Sequence, residues 1–136
     1  MAVISELIRT EENGKLSFGD YTLAAKAKLD NFEHCGDLYK VKTFKTMTKL
    51  ERNGMFVYES VPGTSVSHFV ETADGVKFTV EGDEDAQITL ELEEDTEYQV
   101  LVNGNSAGKM KTNLGGKLNI SVELAGFGEV LVEVTR

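Results

Sequence analysis

The chain has no tryptophan, one cysteine, one proline and two histidines in 136 residues. Because Cys35 stands alone, no intramolecular disulfide can form, which excludes the stapled frameworks of small secreted domains and leaves stability to a hydrophobic core. No apolar run is long enough for a membrane-spanning helix, and no segment carries a sustained 3.6-residue apolar period. A net charge of −9 lacks the basic footprint that nucleic acid requires. A phosphate-cradling glycine loop, a nucleophile elbow and a paired-histidine zinc motif are absent as well. The start of the chain, with Glu6 breaking a short apolar patch and no basic stretch before it, predicts no signal peptide and a cytoplasmic location, with export lacking a cleaved signal left open. At this length the chain is expected to form one domain, residues 1–136, burying about two-thirds of its unfolded surface.

What is present is alternation with period two, the signature of half-buried strands. The clearest case is Glu97 to Arg136. Tyr98, Val100 and Val102 alternate with Gln99, Leu101 and Asn103; Leu118, Ile120, Val122 and Leu124 alternate with Lys117, Asn119, Ser121 and Glu123; Val130, Val132 and Val134 close the series. Asn103-Gly104-Asn105 and Asn113-Leu114-Gly115-Gly116 tolerate positive φ and predict reversals, so this stretch reads as a four-stranded C-terminal meander. Its apolar face requires a second sheet from earlier residues.

Upstream, Ser5 to Glu12 predicts one or two helical turns, and Leu16 to Phe18 a short strand. Further strands are read over Thr22–Phe32, Leu38–Lys45 (with Met47–Leu50 continuing it after a bulge), Met55–Val61, Ser65–Thr72, Val76–Glu81 and Gln87–Leu92. Asn53-Gly54 and Asp74-Gly75 are hairpin signals, and Pro62-Gly63 fits a type II turn. The two-sided apolarity of Met55–Val61 predicts a central strand. About ten or eleven strands with turns every eight to twelve residues point to an all-β antiparallel β-sandwich, immunoglobulin-like or jelly-roll-like.

Few residue sets suggest chemistry. His34-Cys35 has the elements of a nucleophile or metal ligand, but neighbouring side chains are expected to point apart, and no second cysteine exists. Asp83-Glu84-Asp85 offers oxygen ligands for weak calcium binding, yet lacks EF-hand spacing. Glu93-Glu94-Asp95 lies at the other end of the intervening strand, about 20 Å away at ~3.3 Å per residue, so the two triplets do not form one cage. No metal or cofactor is expected. Charge is unevenly placed: nine acids and no lysine or arginine occupy residues 78–108, which accounts for the whole net charge. Opposed to them, Lys26 and Lys28 share a face of one strand and Lys40 and Lys42 a face of the next, forming a basic patch if the two pair as a hairpin. An acidic polymer or the acidic segment of a second copy would complement it.

The stretches Leu38-Tyr-Lys-Val-Lys-Thr-Phe-Lys, Phe56-Val-Tyr-Glu-Ser-Val-Pro-Gly-Thr, Gly82-Asp-Glu-Asp-Ala-Gln-Ile-Thr-Leu-Glu-Leu and Gly108-Lys-Met-Lys-Thr-Asn-Leu resemble a family of short proteins from anaerobic Gram-positive bacteria commonly labelled "endosialidase". The resemblance covers nearly the whole chain and implies a glycan-active enzyme. The C-terminal segment also resembles accessory β-sandwich modules of polysaccharide-active enzymes, which implies glycan binding. Sialidases, however, are propellers with tryptophan-containing repeats and three arginines around a tyrosine nucleophile, whereas here only Arg9, Arg52 and Arg136 occur, without tryptophan or repeat. The expectation is therefore a non-catalytic module, self-associating as a homo-oligomer, with glycan binding as the alternative and neither nucleic acid nor membrane as partner. The predicted core comprises Phe78, Val80, Ile88, Leu90, Tyr98, Val100, Leu118, Ile120, Val122, Val130 and Val132. Placing an unpaired charge there with Val122→Asp is expected to cost several kcal/mol, about half or more of a typical domain's stability, and to unfold the protein; circular dichroism and chemical denaturation check this.

Overall fold

A computed structural model describes residues 3–136. Thirteen strands form two antiparallel sheets packed face to face: β1 (Ile8–Thr10), β2 (Leu16–Phe18), β3 (Ala27–His34), β4 (Asp37–Thr43), β5 (Thr48–Arg52), β6 (Met55–Val61), β7 (Ser65–Thr72), β8 (Gly75–Glu81), β9 (Ala86–Glu91), β10 (Glu97–Val102), β11 (Asn105–Lys111), β12 (Lys117–Val122) and β13 (Val130–Thr135). One sheet has seven strands in the order β1-β2-β7-β8-β13-β10-β11, the other six in the order β12-β9-β6-β5-β4-β3. The fold is the expected all-β sandwich, and every predicted core residue is buried.

Alternation explains the packing. On β12 the pattern sends Leu118, Ile120 and Val122 inward and Asn119 and Ser121 to solvent, and β9 and β13 repeat it. Phe18 meets Tyr58 edge to face at 5.3 Å, and Tyr58 meets Phe78 at 5.7 Å, stacking aromatics through the core in the geometry their quadrupoles favour. As expected from its apolar composition, β6 is central, between β9 and β5.

Several local readings are corrected. Residues 97–136 are not a meander: β10 and β11 form a hairpin, β12 crosses to the six-stranded sheet beside β9, and β13 returns to insert between β8 and β10. Short connections of five or more residues reach the opposite sheet as readily as a neighbouring strand, so turn signals alone did not decide. The segment Ser5–Glu12 is no helix. Leu7 takes a φ of 75°, and Ile8–Thr10 pairs with Leu16–Phe18, which buries Ile4 and Ile8. β3 begins only at Ala27, and the gap between the strands expected over Thr22–Phe32 and Leu38–Lys45 contracts to a two-residue turn in which Cys35 and Gly36 both have positive φ. Met47–Leu50 does not prolong the preceding strand; the chain reverses, with Phe44 N donating to Met47 O, and β5 pairs back onto β4. At Pro62-Gly63 the Val61–Pro62 bond is cis and Gly63 lacks the positive φ that a type II turn needs, so that turn does not form.

Buried hydroxyls hold the crossover from β6 to β7. Thr48 Oγ1 donates to Thr64 O at 2.7 Å and accepts from Thr64 N at 3.1 Å. Since its only proton is used, Thr43 Oγ1, 2.9 Å away, is the donor of that pair, and itself accepts from Asp20 N at 2.9 Å. Thr64 Oγ1 lies 2.7 Å from both Tyr58 Oη and Ser60 Oγ. Gly19 and Gly63 flank this network where a Cβ would run into the carbonyl oxygens of Thr64 and Phe44. Replacing Thr64 by Val keeps the shape but strips Tyr58 and Ser60 of a buried partner, so it is expected to destabilise the fold by about 1–3 kcal/mol, read as a lower denaturant midpoint with unchanged m-value.

Candidate interaction surface

The outer face of the six-stranded sheet is built by register. Lys28 pairs with Lys42, Lys42 with Lys49 and Lys49 with Glu59, so three lysines stand side by side in one cross-strand row. Lys40, opposite Glu51, lies on the same face of β4 one pleat away. Directly opposed like charges in an antiparallel pair repel. The consequence appears at Lys42, whose ammonium is pushed below the usual lysine pKa by partial desolvation and by Lys26, Lys28, Lys40 and Lys49. Relief is partial: Lys40 Nζ reaches Asp30 at 3.9 Å, and Lys49 Nζ reaches Glu51 at 3.8 Å. Lys26 precedes β3 and lies over the Phe44 ring, 5.9 Å from its centroid. All four lysines singled out from the sequence are thus brought together, and Lys49, whose place in the row only the pairing of β5 reveals, joins them. An open groove of about 490 Å³ runs beside them, lined by Asp30, Asn31, Leu38, Lys40, Glu51 and Asn53.

The acidic residues separate into two sets at opposite ends of β9. In the β8–β9 connection, Asp85 is structural: its Oδ1 accepts from Leu124 N at 3.0 Å and from Ala125 N at 3.1 Å, fixing the segment after β12. Asp83 and Glu84 project from the same loop and make no ion pair among the described residues. At the other end, charges are matched. Glu93 bonds Arg136, Asp95 pairs with Lys111 at 3.1 Å, Glu97 with Lys109 at 3.9 Å and Glu91 with Lys117 at 2.6 Å. Glu94 joins none of these pairs; its carbonyl accepts from Thr96 Oγ1 at 2.8 Å. Every one of these bases lies outside residues 78–108.

Two further sites were less legible. Between the sheets at the Asn53 end is a cleft of about 340 Å³, lined among others by Arg52, Met55, Glu71, Glu93, Tyr98 and Arg136. Arg52 Nη1 donates to Glu71 Oε1 at 2.5 Å and Arg136 holds Glu93, so each of these two carboxylates is engaged by an arginine. His34 and Cys35, expected to diverge, instead meet: Sγ lies 3.6 Å from Nε2, while Nδ1 is 2.8 Å from Thr10 Oγ1. The buried ring packs edge-on to Tyr39 and ties β3 to β1. His68 is exposed at a bulge in β7, with a φ of 55°.

Comparison with protein-family models, with curated proteins and with solved structures yields no match to this chain.

The acidic β8–β9 end has a measurable electrostatic effect. Burial, then the carboxylates of Glu81 and Asp83, push the Tyr21 phenol up to about 12. A folded-state value above the unfolded one near 10 means that this group's stabilising contribution is complete below pH ~10 and is lost as pH rises through about 12. Phenolate absorbance is expected to show Tyr21 titrating late, together with Tyr39 and Tyr58, whose phenols burial also pushes up, and Glu81→Gln is expected to bring the Tyr21 step alone to lower pH.

Proposed function

We propose that the protein is a non-catalytic structural module that self-associates, its lysine face docking on the Asp83–Glu84 loop of a neighbouring copy. The observation that carries this reading is the row Lys28–Lys42–Lys49 with Lys26 and Lys40 beside it, a concentration of like charge on one flat sheet face of a protein whose net charge is −9. A docked carboxylate loop relieves the repulsion and offsets the negative charge left unpaired at Asp83 and Glu84. The matched pairs at the other end of β9, where Glu94 alone joins none, favour the Asp83–Glu84 loop as the acceptor. Donor and acceptor patches differ, so the contact is heterologous and makes a ring when its rotation closes and a filament when it does not. The non-catalytic part of the reading is supported by the open cleft between the sheets, where Arg52 and Arg136 engage the carboxylates of Glu71 and Glu93.

Light scattering at low ionic strength is expected to show assemblies that shrink toward lower mass in ~0.5 M salt, where the screening length falls well below 10 Å. Lys40→Glu/Lys42→Glu and Asp83→Asn/Glu84→Gln are each expected to abolish the salt-sensitive component. A mass independent of salt and of both double substitutions overturns the electrostatic docking.

A further inference from the structure

The two sheets differ by one strand, and the extra strand lies at a defined place. At one side of the sandwich β1 lies against β3, where Thr10 Oγ1 contacts His34 Nδ1. Counting from that flush side sets β10 opposite β12 and leaves β11 with no strand opposite it. Burial agrees. Tyr98 and Val100 on β10, and Leu118, Ile120 and Val122 on β12, are buried, whereas every residue of β11 is exposed except the half-buried Met110. The side of the molecule is therefore a step: β11 overhangs, and beneath it, beside the free edge of β12, is a slot one strand wide.

The edges bounding this step carry main-chain groups available for pairing. Leu92 N donates to Gly116 O, so with period two Leu118, Ile120 and Val122 direct their main-chain groups to β9 while Lys117, Asn119 and Ser121 direct theirs away. Asn113 takes both groups of Lys117, through Oδ1 at 3.0 Å and its own N at 3.1 Å. Asn119 and Ser121 remain as the open rungs, in a strand that holds register with β9 without a bulge. On the overhang, Thr112 N donates to Thr96 O, which by the same alternation turns the main-chain groups of Lys109 and Lys111 away from β10. β11 and β12 are joined only by residues 112–116 and so leave and enter at one end, running in opposite directions.

We infer that the step is an interface between two copies of this chain, in which each copy's β11 fills the slot beside the other's β12. A twofold axis parallel to the strands, lying between the sheets at the step, exchanges the two layers and preserves strand direction. It brings β11 antiparallel to the partner's β12, and β12 antiparallel to the partner's β11. One layer then runs from the seven-stranded sheet into the partner's six-stranded sheet, and the other layer runs the reverse way. The overhang is what selects a second copy as occupant, since a slot one strand wide roofed by one strand is complementary to itself under this rotation and to no flat edge. Leu114, 81% exposed, sits in the segment that crosses the step and faces its own counterpart across the axis. β11 is itself bulged beside Gly108, which confines its open rungs to Lys109 and Lys111; of the other two outer edges, β1 has only three residues and β3 is bulged at its middle, between Leu29 and Phe32, with Asn31 at a φ of 57°.

This inference rests on the reading that copies of the chain associate, and it differs from lysine docking in being closed, isologous and insensitive to salt. Sedimentation of the intact protein in ~0.5 M salt, which suppresses the lysine contact, tests it. A dimer is expected there. Ser121→Pro deletes an amide that faces away from β9, and Leu114→Asp alters an exposed side chain; each is expected to halve the mass while leaving the circular dichroism spectrum unchanged. Lys40→Glu/Lys42→Glu is expected to remain dimeric. A monomer in high salt, or a dimer retained by both Ser121→Pro and Leu114→Asp, overturns the interface. Assemblies that occur only in low salt and vanish with Lys40→Glu/Lys42→Glu would overturn it while leaving the lysine docking in place.

Discussion

The hydrogen bonding around Thr64 is the constraint on which the architecture turns. At this residue the chain leaves the six-stranded sheet for the seven-stranded one, and it does so with both main-chain groups buried. Unpaired, they would cost about 1–3 kcal/mol each. Thr48 satisfies both through a single hydroxyl, and the need for that hydroxyl to accept as well as donate fixes the proton of Thr43, which in turn accepts from the amide of Asp20. Four separate segments, after β2, at the end of β4, at the start of β5 and after β6, are thereby held at one level. The aromatic packing of Phe18, Tyr58 and Phe78 directly adjoins this anchor, with Tyr58 belonging to both through its ring and its hydroxyl. Ser65 Oγ, buried next to it and without a hydrogen-bond partner, shows that the site tolerates one orphan hydroxyl once the amides are satisfied.

Local pattern carried much of the fold into view, for a physical reason. Burial on one face forces period two, so the inward residues of β9, β12 and β13 are readable from residue order alone. Asn-Gly and Asp-Gly turns encode reversal through positive φ, which Asn53, Gly54, Asn103 and Gly104 adopt. Neither signal states which sheet receives the next strand. β11 and β12 follow each other as a hairpin would, yet the intervening residues 112–116 span the sandwich, and Asn113 uses its side chain and main chain on Lys117 rather than closing a two-stranded turn. At the N-terminus the helical expectation failed for a similar cause. Ile4, Leu7 and Ile8 fit one helical face, but the same residues are served by strand pairing with Leu16–Phe18, and long-range burial outweighs a weak local preference.

Charge was legible as composition and not as pairing. A window with nine acids and no base looks like an extended negative surface, yet antiparallel register sets Lys111 opposite Glu97 and Lys117 opposite Glu91, and the last residue, Arg136, folds onto Glu93. Cross-strand partners are remote in sequence, so a sliding count cannot find them. The lysines show the inverse case. Their clustering was visible because β3 and β4 are sequence neighbours joined by a tight turn, which is the one circumstance in which strand adjacency follows from order along the chain. Even there the fifth lysine was hidden until β5 turned back on β4.

Burial pattern and strand order come together at β11. Alternation on β11 is poor, with Gly108 opposite Val100 and small or polar residues elsewhere, because a strand with nothing across from it has no core to specify. A sandwich with equal sheets would bury both edges to the same depth. One with seven strands over six must leave a face of one strand open, and here the edge beside it carries Ile120 and Val122 on its inner side and free amides at Asn119 and Ser121 on its rim. On the inner face of β11 Gly108, opposite Val100, adds no side chain, and only Met110, opposite Tyr98, packs half-buried against the core. The sequence of β11, unremarkable as a strand, is thus what an uncovered strand over an open edge requires.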